Sequence, residues 1–327
     1  MSRRAGVAYF GSRIVRHVAA DMAALAERGF TGVLHTFTEN DLAYYRETVG
    51  EIVAASHEAG LEVQIGPWGV CQMFGGEAES RFTAWHPEVG QVLDDGRGTP
   101  SGCPNNPRVR EFVRGWIDAA IDTGADRIFC DEPHWVHPEH FGLDPERWGC
   151  RCEHCRERFG REFPSELTPE VLAFREDCMV DFIGDFVAHG SRQGAEVTVC
   201  LLPLTGGTHG ISDWGRVANL PGLHTFGTDP YWKAFGEPAE AYVGEYARRL
   251  VKLSPNPQLW IQGFRLEPDD VEDIHAAVRV AREAGIEDLW TWGFEACGHM
   301  SALRGSDSHM IWEALTDSLL GPVAAAR

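Results

Sequence analysis

Three cysteines fall within six positions of this sequence, Cys150, Cys152 and Cys155. The C-x-C-x-x-C spacing lets the chain fold back tightly enough to set three thiolates around one tetrahedral ion, which neither a helix nor a strand could do alone. A fourth ligand is then required. Cys103, in the segment GCPNNP, is the first candidate and His154 the reserve. Four protein ligands leave no position for water, so the expected metal is a structural Zn2+ that ties two segments together. Of the other cysteines, Cys130 and Cys200 lie inside apolar strand-like runs and are expected as small core residues, while Cys71, Cys178 and Cys297 have no partner spacing.

A second set of residues could move protons. The run RIFCDEPHW ends an apolar strand in Asp131 and Glu132, LHTFGTDPYW ends another in Asp229, and LWTWGFEACGH offers Glu295. Adjacent acids at partial burial repel, which raises one pKa and keeps that group protonated near neutrality, as a general acid must be. The structural alternative is a helix N-cap or a salt bridge. Cleavage of a glycosidic bond needs two carboxyl groups flanking it, about 5 to 5.5 Å apart for retention of configuration and about 6.5 to 9.5 Å for inversion. The sequence supplies enough acids without choosing the pair. Trp68, Trp135, Trp232, Trp260, Trp290 and Trp292 fall at or near strand ends. Aromatic faces suit the C–H faces of sugar rings, whereas barrel interiors favour branched aliphatics. Trp232 and Trp292 are therefore the first candidates for sugar platforms, with Trp68 and Tyr231 in the same group. His35, His134 and Gln262 could hydrogen-bond hydroxyls, though each alone is more often a satisfied core or rim residue than a ligand.

These residues need a scaffold, and a recurring unit in the chain describes one. An amphipathic helical stretch, a glycine and a short β-rich apolar run appear in ERGFTGVLHTF, HEAGLEVQIGPW, DTGADRIFCDEP, RQGAEVTVCLLP and EAGIEDLWTWGF. Each glycine (Gly29, Gly60, Gly124, Gly194, Gly285) suits a left-handed helix terminus, and each apolar run suits a strand buried on both faces. Completing the series predicts strands over 6–11, 32–37, 62–68, 127–132, 197–203, 223–229, 259–264 and 288–294. Helices fit between them, over 15–28, 42–59, 108–123, 238–253 and 271–284, with a last one near 310–320. Eight strands alternating with helices predict a single α/β domain over 1–327, a closed (β/α)8 TIM barrel. A doubly wound open sheet is the runner-up, and no glycine-rich phosphate loop follows the first strand to support it. The connections 69–106 and 133–169, after strands three and four, are too long for simple turns. Both leave from the strand C-terminal ends, where barrel enzymes build their sites, and a zinc site joining Cys103 to the knuckle would staple them together.

Composition removes some partners. With 29 basic against 49 acidic residues the formal charge is −20, which repels phosphate backbones and anionic lipid, so neither nucleic acid nor a membrane is an expected partner. The N-terminal segment has no signal-like apolar stretch and no run reaches spanning length, so a cytoplasmic protein is expected. Nine cysteines, three of them clustered and others within apolar runs, read as metal binding and buried thiols rather than disulfides. Whether the chain forms a homo-oligomer is open.

With the acids and the knuckle in place, the chain resembles the barrel glycosidases related to the β-galactosidases of glycoside hydrolase family 42. In that family a strand-four acid is followed by a C-x-C-x-x-C loop and a trailing aromatic, which bind zinc together with an earlier cysteine. The counterparts here are Asp131, Glu132, Cys150, Cys152, Cys155, Phe159 and, upstream, Cys103; Asp229, Pro230 and Tyr231 resemble the family's strand-six end. The resemblance implies a glycosidase acting on a carbohydrate, with Glu132 as the acid/base. It breaks at strand seven, where the family carries a nucleophilic glutamate and the run LWIQGFRLE has Gln262. Three readings stay open there: another carboxylate substitutes, Asp229 ahead of Glu295; the reaction is inverting or substrate-assisted; or no glycoside is hydrolysed. Galactose is not implied, because the accessory domains of those enzymes have no counterpart after the barrel. The expected function is thus carboxylate-catalysed cleavage of a small glycoside or oligosaccharide. The rivals are a metal-dependent sugar isomerase or epimerase, using Asp131, His134, Asp229 and Glu295, and a carbohydrate-binding barrel without catalysis.

Overall fold

The computed structural model describes residues 3–204 and 210–321. Eight parallel strands close into a barrel: β1 Arg4–Tyr9, β2 Gly32–Thr36, β3 Glu62–Gly66, β4 Arg127–Asp131, β5 Glu196–Leu201, β6 Leu223–Thr228, β7 Pro257–Gln262 and β8 Asp288–Trp292. Each pairs with its sequence neighbours, and β1 pairs with β8 from Arg4 opposite Asp288 to Val7 opposite Thr291, which seals the ring. The predicted (β/α)8 barrel is the observed fold. Several expected strands overrun by one or two residues at the C-terminal end, because there the chain leaves the ladder and turns over the mouth. All five recurring glycines have positive φ, from 83° to 102°, as the helix-to-strand turn requires. The expected helix over 42–59 is two, Glu39–Tyr44 and Arg46–Glu58, broken at Tyr45. None of the described helices is long and apolar enough to cross a membrane.

Two apolar layers result. The larger lies between strands and helices, and the smaller fills the barrel with Ala8, Leu34, Phe129, Cys200, Trp260 and Trp290. The interior is thus not the aliphatic packing expected. The Trp260 and Trp290 rings lie 5.3 Å apart, and Trp290 occupies the space that a side chain on Gly6 or Gly32 would need. Small residues on β1 and β2 make room for Trp290 of β8, and both tryptophans are buried in the barrel core. At the N-terminal end Arg127, almost fully buried, lies between Glu62 and Glu196 at 3.1 Å each, with Asp288 at 3.8 Å.

The long connections after β3 and β4 are both structured. The first holds a short helix, Arg81–Trp85, and a hairpin pairing Gly90–Val92 with Gly98–Gly102. Its start is fixed by buried Glu39, whose carboxylate accepts from the backbone N–H groups of Cys71 and Phe82 and from the Ser80 hydroxyl. The second holds the helix Glu153–Phe159 and then the 24-residue helix Pro169–Arg192 that leads to β5.

Candidate active site and metal centre

Strand register brings the acids to one height. Asp131 of β4 lies opposite Cys200 of β5, which lies opposite Gly227 of β6, two residues before Asp229. Beyond Asp131 the chain turns sharply: Glu132 has φ +43°, and its N–H donates to the Cys200 carbonyl at 3.0 Å. A left-handed glutamate costs on the order of 1 to 3 kcal/mol, and such strain collects where a side chain must be aimed. Here it turns the Glu132 carboxyl toward Asp229, close enough for each to shift the titration of the other.

Burial pushes all three pKa values up. For Asp229 the next cause is the nearby Glu132; for Asp131 it is the charges of Glu132 and Glu77. For Glu132 the proximity of Asp229 partly offsets burial. The group therefore holds protons at pH values where isolated carboxyls have lost them, and Glu132 and Asp229 titrate as a pair. Asp229 is 3% exposed and its Oδ1 has no hydrogen-bond partner; the neighbouring Cys200 thiol is a weak donor.

These acids wall a cavity of about 230 Å³ at the barrel mouth. Phe129 and Trp260 form its floor, and Tyr231, Phe235, Phe264 and Trp292 its apolar sides. Tyr231 and Phe264 meet edge to face at 5.1 Å, while Trp292 stacks on Phe10, which packs on Trp68. The loop after β3 closes one side. Gly75 donates its N–H to the Asp131 carbonyl, and a Cβ there would lie 2.6 Å from Glu132 Oε2 and 3.0 Å from Asp131 Oδ2. Gly76 leaves space for the Trp68 ring, and the Trp68 indole N–H donates to Glu77 Oε2 at 3.1 Å. Gly75, Gly76 and Glu77 escaped the sequence analysis. Their signal was the pair of glycines before an acid in a loop reaching the mouth, which marks close backbone approach.

Of the acids and aromatics named from sequence, Asp131, Glu132, Asp229, Tyr231, Trp260 and Trp292 line this cavity, with Trp68 at its rim. The others lie elsewhere. Glu295 opens on a separate cavity beside Arg28 and Trp312, because the turn after β8 carries it outward. Trp232 is 1% exposed in the layer outside the barrel. His35 also faces outward, donating from Nε2 to Ser56 Oγ at 2.8 Å, and burial holds its pKa down to about 3. His134 places Nδ1 2.6 Å from the Glu132 carbonyl oxygen. Gln262 is consumed by structure: its oxygen accepts from Lys233 N–H at 3.0 Å and Ala234 N–H at 3.4 Å, and its amide donates to the Phe264 carbonyl. Trp135 is fully buried, donating to the Arg175 carbonyl.

The four cysteine sulfurs of Cys103, Cys150, Cys152 and Cys155 lie within 4.8 Å of one another. Cys103 Sγ is 3.5 Å from both Cys152 Sγ and Cys155 Sγ. Four sulfurs at about 2.3 Å from a tetrahedral ion would stand about 3.8 Å apart, so the group can hold a metal. Backbone N–H groups of Val92, Cys152 and Asn105 and the Asn105 amide point at these sulfurs, as thiolates require. His154 is not in the group. The cluster joins the hairpin to the second excursion, where Leu93 also bridges Gly149 and Arg151 N–H donates to Val92. A second group, His137, Glu139 and His140, gathers at the surface of that excursion.

No family model matches this chain, and no curated protein matches it in sequence. Solved structures resemble it in fold. The catalytic domain of a β-amylase from Paenibacillus polymyxa superposes with a TM-score of 0.65 at 9% identity, covering 96% of this chain and 97% of that one. An endo-1,4-β-mannanase from Rhizomucor miehei gives 0.66 at 9% identity, covering 98% and 95%. A D-psicose 3-epimerase from Clostridium cellulolyticum gives 0.51 at 11% identity, covering 97% and 96%. At such identities the likeness establishes the barrel architecture.

Proposed function

We propose that this barrel is a glycoside hydrolase that seats one sugar ring of a small glycoside or oligosaccharide in the mouth cavity and cleaves the bond beside it. The observation that carries this reading is that Glu132 and Asp229, two buried carboxyls whose pKa values are raised, line one aromatic-walled cavity. A volume of about 230 Å³ is below the range of about 300 to 1,000 Å³ typical of drug-sized ligands, which suits one ring better than a chain of them. Tyr231, Phe264 and Trp292 offer faces for its C–H surfaces.

In this mechanism Glu132 gives its proton to the glycosidic oxygen as the bond to the anomeric carbon breaks. Asp229 then faces the developing positive charge, as nucleophile in a retaining reaction or as base toward water in an inverting one. The separation of the two carboxyls in the substrate complex, about 5 to 5.5 Å or about 6.5 to 9.5 Å, decides between these two outcomes. Asp131, kept protonated by burial and by Glu132, adds a donor for a hydroxyl or an amide of the substrate. Gln262 plays no chemical part. The resemblance to the family 42 enzymes at strand four and in the cysteine loop supports the role of Glu132.

We infer that the four-cysteine group holds Zn2+ in a structural role, supplying no chemistry but fixing the excursions, the first of which carries Gly76 and Glu77 to the mouth. None of the nine cysteines is in a disulfide, which suits a reducing compartment such as the cytoplasm. The isomerase reading is less well supported. The residues it needs are dispersed, with Glu295 on another cavity and His134 Nδ1 turned to a backbone carbonyl.

The test is a screen of aryl glycosides and oligosaccharides with wild type, Glu132→Gln and Asp229→Asn. Turnover by wild type and a loss of at least about 100-fold in each variant is expected. Full activity in both variants would remove the site assignment. Sugar binding without turnover would favour a non-catalytic barrel.

A further inference from the structure

We propose that His137, Glu139 and His140 hold a first-row divalent metal ion, with Zn2+ the best fit, in a second metal site of a different kind from the cysteine cluster. The site is independent of the hydrolase reading, because none of the three residues lines the mouth cavity.

The sequence HPEH builds the site on one turn. Pro138 opens a 3-10 turn, Pro138–Phe141, with His137 as its N-cap, and Gly142, at φ +66°, ends it. The His140 N–H donates to the His137 carbonyl and the Gly142 N–H to the Glu139 carbonyl, each at 3.1 Å, and the Leu143 N–H to the Pro138 carbonyl at 3.0 Å. The backbone carrying the three side chains is thus tied to itself. In a 3-10 turn residues three apart eclipse. The His137 and His140 rings accordingly stack, 14° from parallel with centroids 5.0 Å apart. Glu139 comes to the same place, so that one ligand atom from each of the three residues lies within 4.8 Å of the other two.

The donor set is that of an open metal site. Two imidazoles and a carboxylate are a known ligand set for Zn2+ with three protein ligands, which leaves the fourth position to water. Nitrogen and oxygen donors about 2.1 Å from a tetrahedral ion stand about 3.4 Å apart. His137 Nδ1 and Glu139 Oε1 are already at 3.4 Å, long for a hydrogen bond and right for two ligands of one ion. Among the described residues, no lysine or arginine pairs with Glu139 and no group hydrogen-bonds a ring nitrogen of His140. The His134 ring packs edge to face on His137 at 4.9 Å, and its own Nδ1 lies 2.6 Å from the Glu132 carbonyl oxygen. With that support the His137 side chain is 15% exposed and held in place, while Glu139 and His140 reach the solvent from which an ion arrives.

The experiment is calorimetry on the full-length protein, its cysteine cluster loaded with zinc and free metal removed, titrated with Zn2+ at neutral pH. We expect one further ion per chain, with a dissociation constant of about 10 μM or below. His140→Ala and Glu139→Ala, both at exposed positions, should each weaken that binding at least about ten-fold. Lowering the pH to about 5.5 should weaken it as much, because protons compete for the imidazoles. Mg2+, which prefers oxygen ligands, should not compete. Co2+ added to the zinc-loaded protein should give d–d absorption without the sulfur charge-transfer band of cysteine ligation. No saturable binding beyond the first zinc overturns the proposal. So does binding that either variant leaves unchanged, which would put the ion elsewhere on this acidic protein.

Discussion

Replacing Gly75 by alanine tests whether the carboxyl pair works as placed, without touching either acid. The added Cβ would lie 2.6 Å from Glu132 Oε2 and 3.0 Å from Asp131 Oδ2, where ordinary contact begins at 3.4 Å. Glu132 must therefore retreat by about 0.8 Å and Asp131 by about 0.4 Å. The residue does not have the positive φ that would strain alanine, and its backbone bonds to the Asp131 carbonyl and from the Gly69 N–H survive the change. The cavity gives the carboxyls somewhere to go, so stability should fall by about 1 kcal/mol or less. Misplacing a catalytic group by about 1 Å costs up to about 100-fold in rate. The expected loss in kcat/KM is thus about 10- to 100-fold, or about 1.4 to 2.7 kcal/mol of barrier. Steady-state kinetics on the best substrate from the screen, with urea denaturation as the control, reads both quantities. A folded Gly75→Ala enzyme with wild-type kcat/KM would show that Glu132 does no chemistry from this position.

Asp229→Asn should stabilise the fold at neutral pH while it removes activity. Burial and neighbouring charge raise the folded pKa of Asp229, so its stability contribution is fully present below the unfolded value of about 3.9 and is lost as pH rises through the folded one. Asparagine escapes that loss, worth about 1.4 kcal/mol per unit of elevation removed, so urea midpoints should favour the variant at pH 7.5 and converge at pH 4. Equal midpoints at both pH values would contradict the burial argument. Zinc measured by elemental analysis should come to about one ion per chain held by cysteine, and Cys152→Ser should lose it. Hydrogen exchange should then quicken over 90–102 and 148–163 while the barrel strands keep their protection; unaltered exchange would mean the metal holds nothing together. Gln262→Glu should gain no activity and should lower stability by about 1 to 3 kcal/mol, since a carboxylate cannot donate to the Phe264 carbonyl. A more active variant would show that the position still faces substrate.

Much of this protein is legible in its sequence because the signals are local. The helix–glycine–strand unit recurs within eleven or so residues, each glycine sits where a helix must turn, and hydrophobic runs mark strands covered on both faces, so the alternation and the barrel follow from pattern alone. The cysteine knuckle is equally local. Asp131, Glu132 and Asp229 were readable as strand-end acids because a parallel barrel puts every strand's C-terminal end on one face.

Tertiary structure decided what pattern cannot encode, namely which way each side chain points once the strands twist and close. Trp232 and His35 share composition with a sugar site but face the helices, Gln262 spends its amide on backbone groups, and the turn after β8 carries Glu295 off the mouth. Trp290 of β8 fits inside the barrel because Gly6 and Gly32, far away in sequence, leave it volume. Gly75 matters only because the loop after β3 is laid against two carboxyls of β4. Contacts between segments this distant depend on closure of the ring and on packing density, and neither is a property of any single stretch of chain.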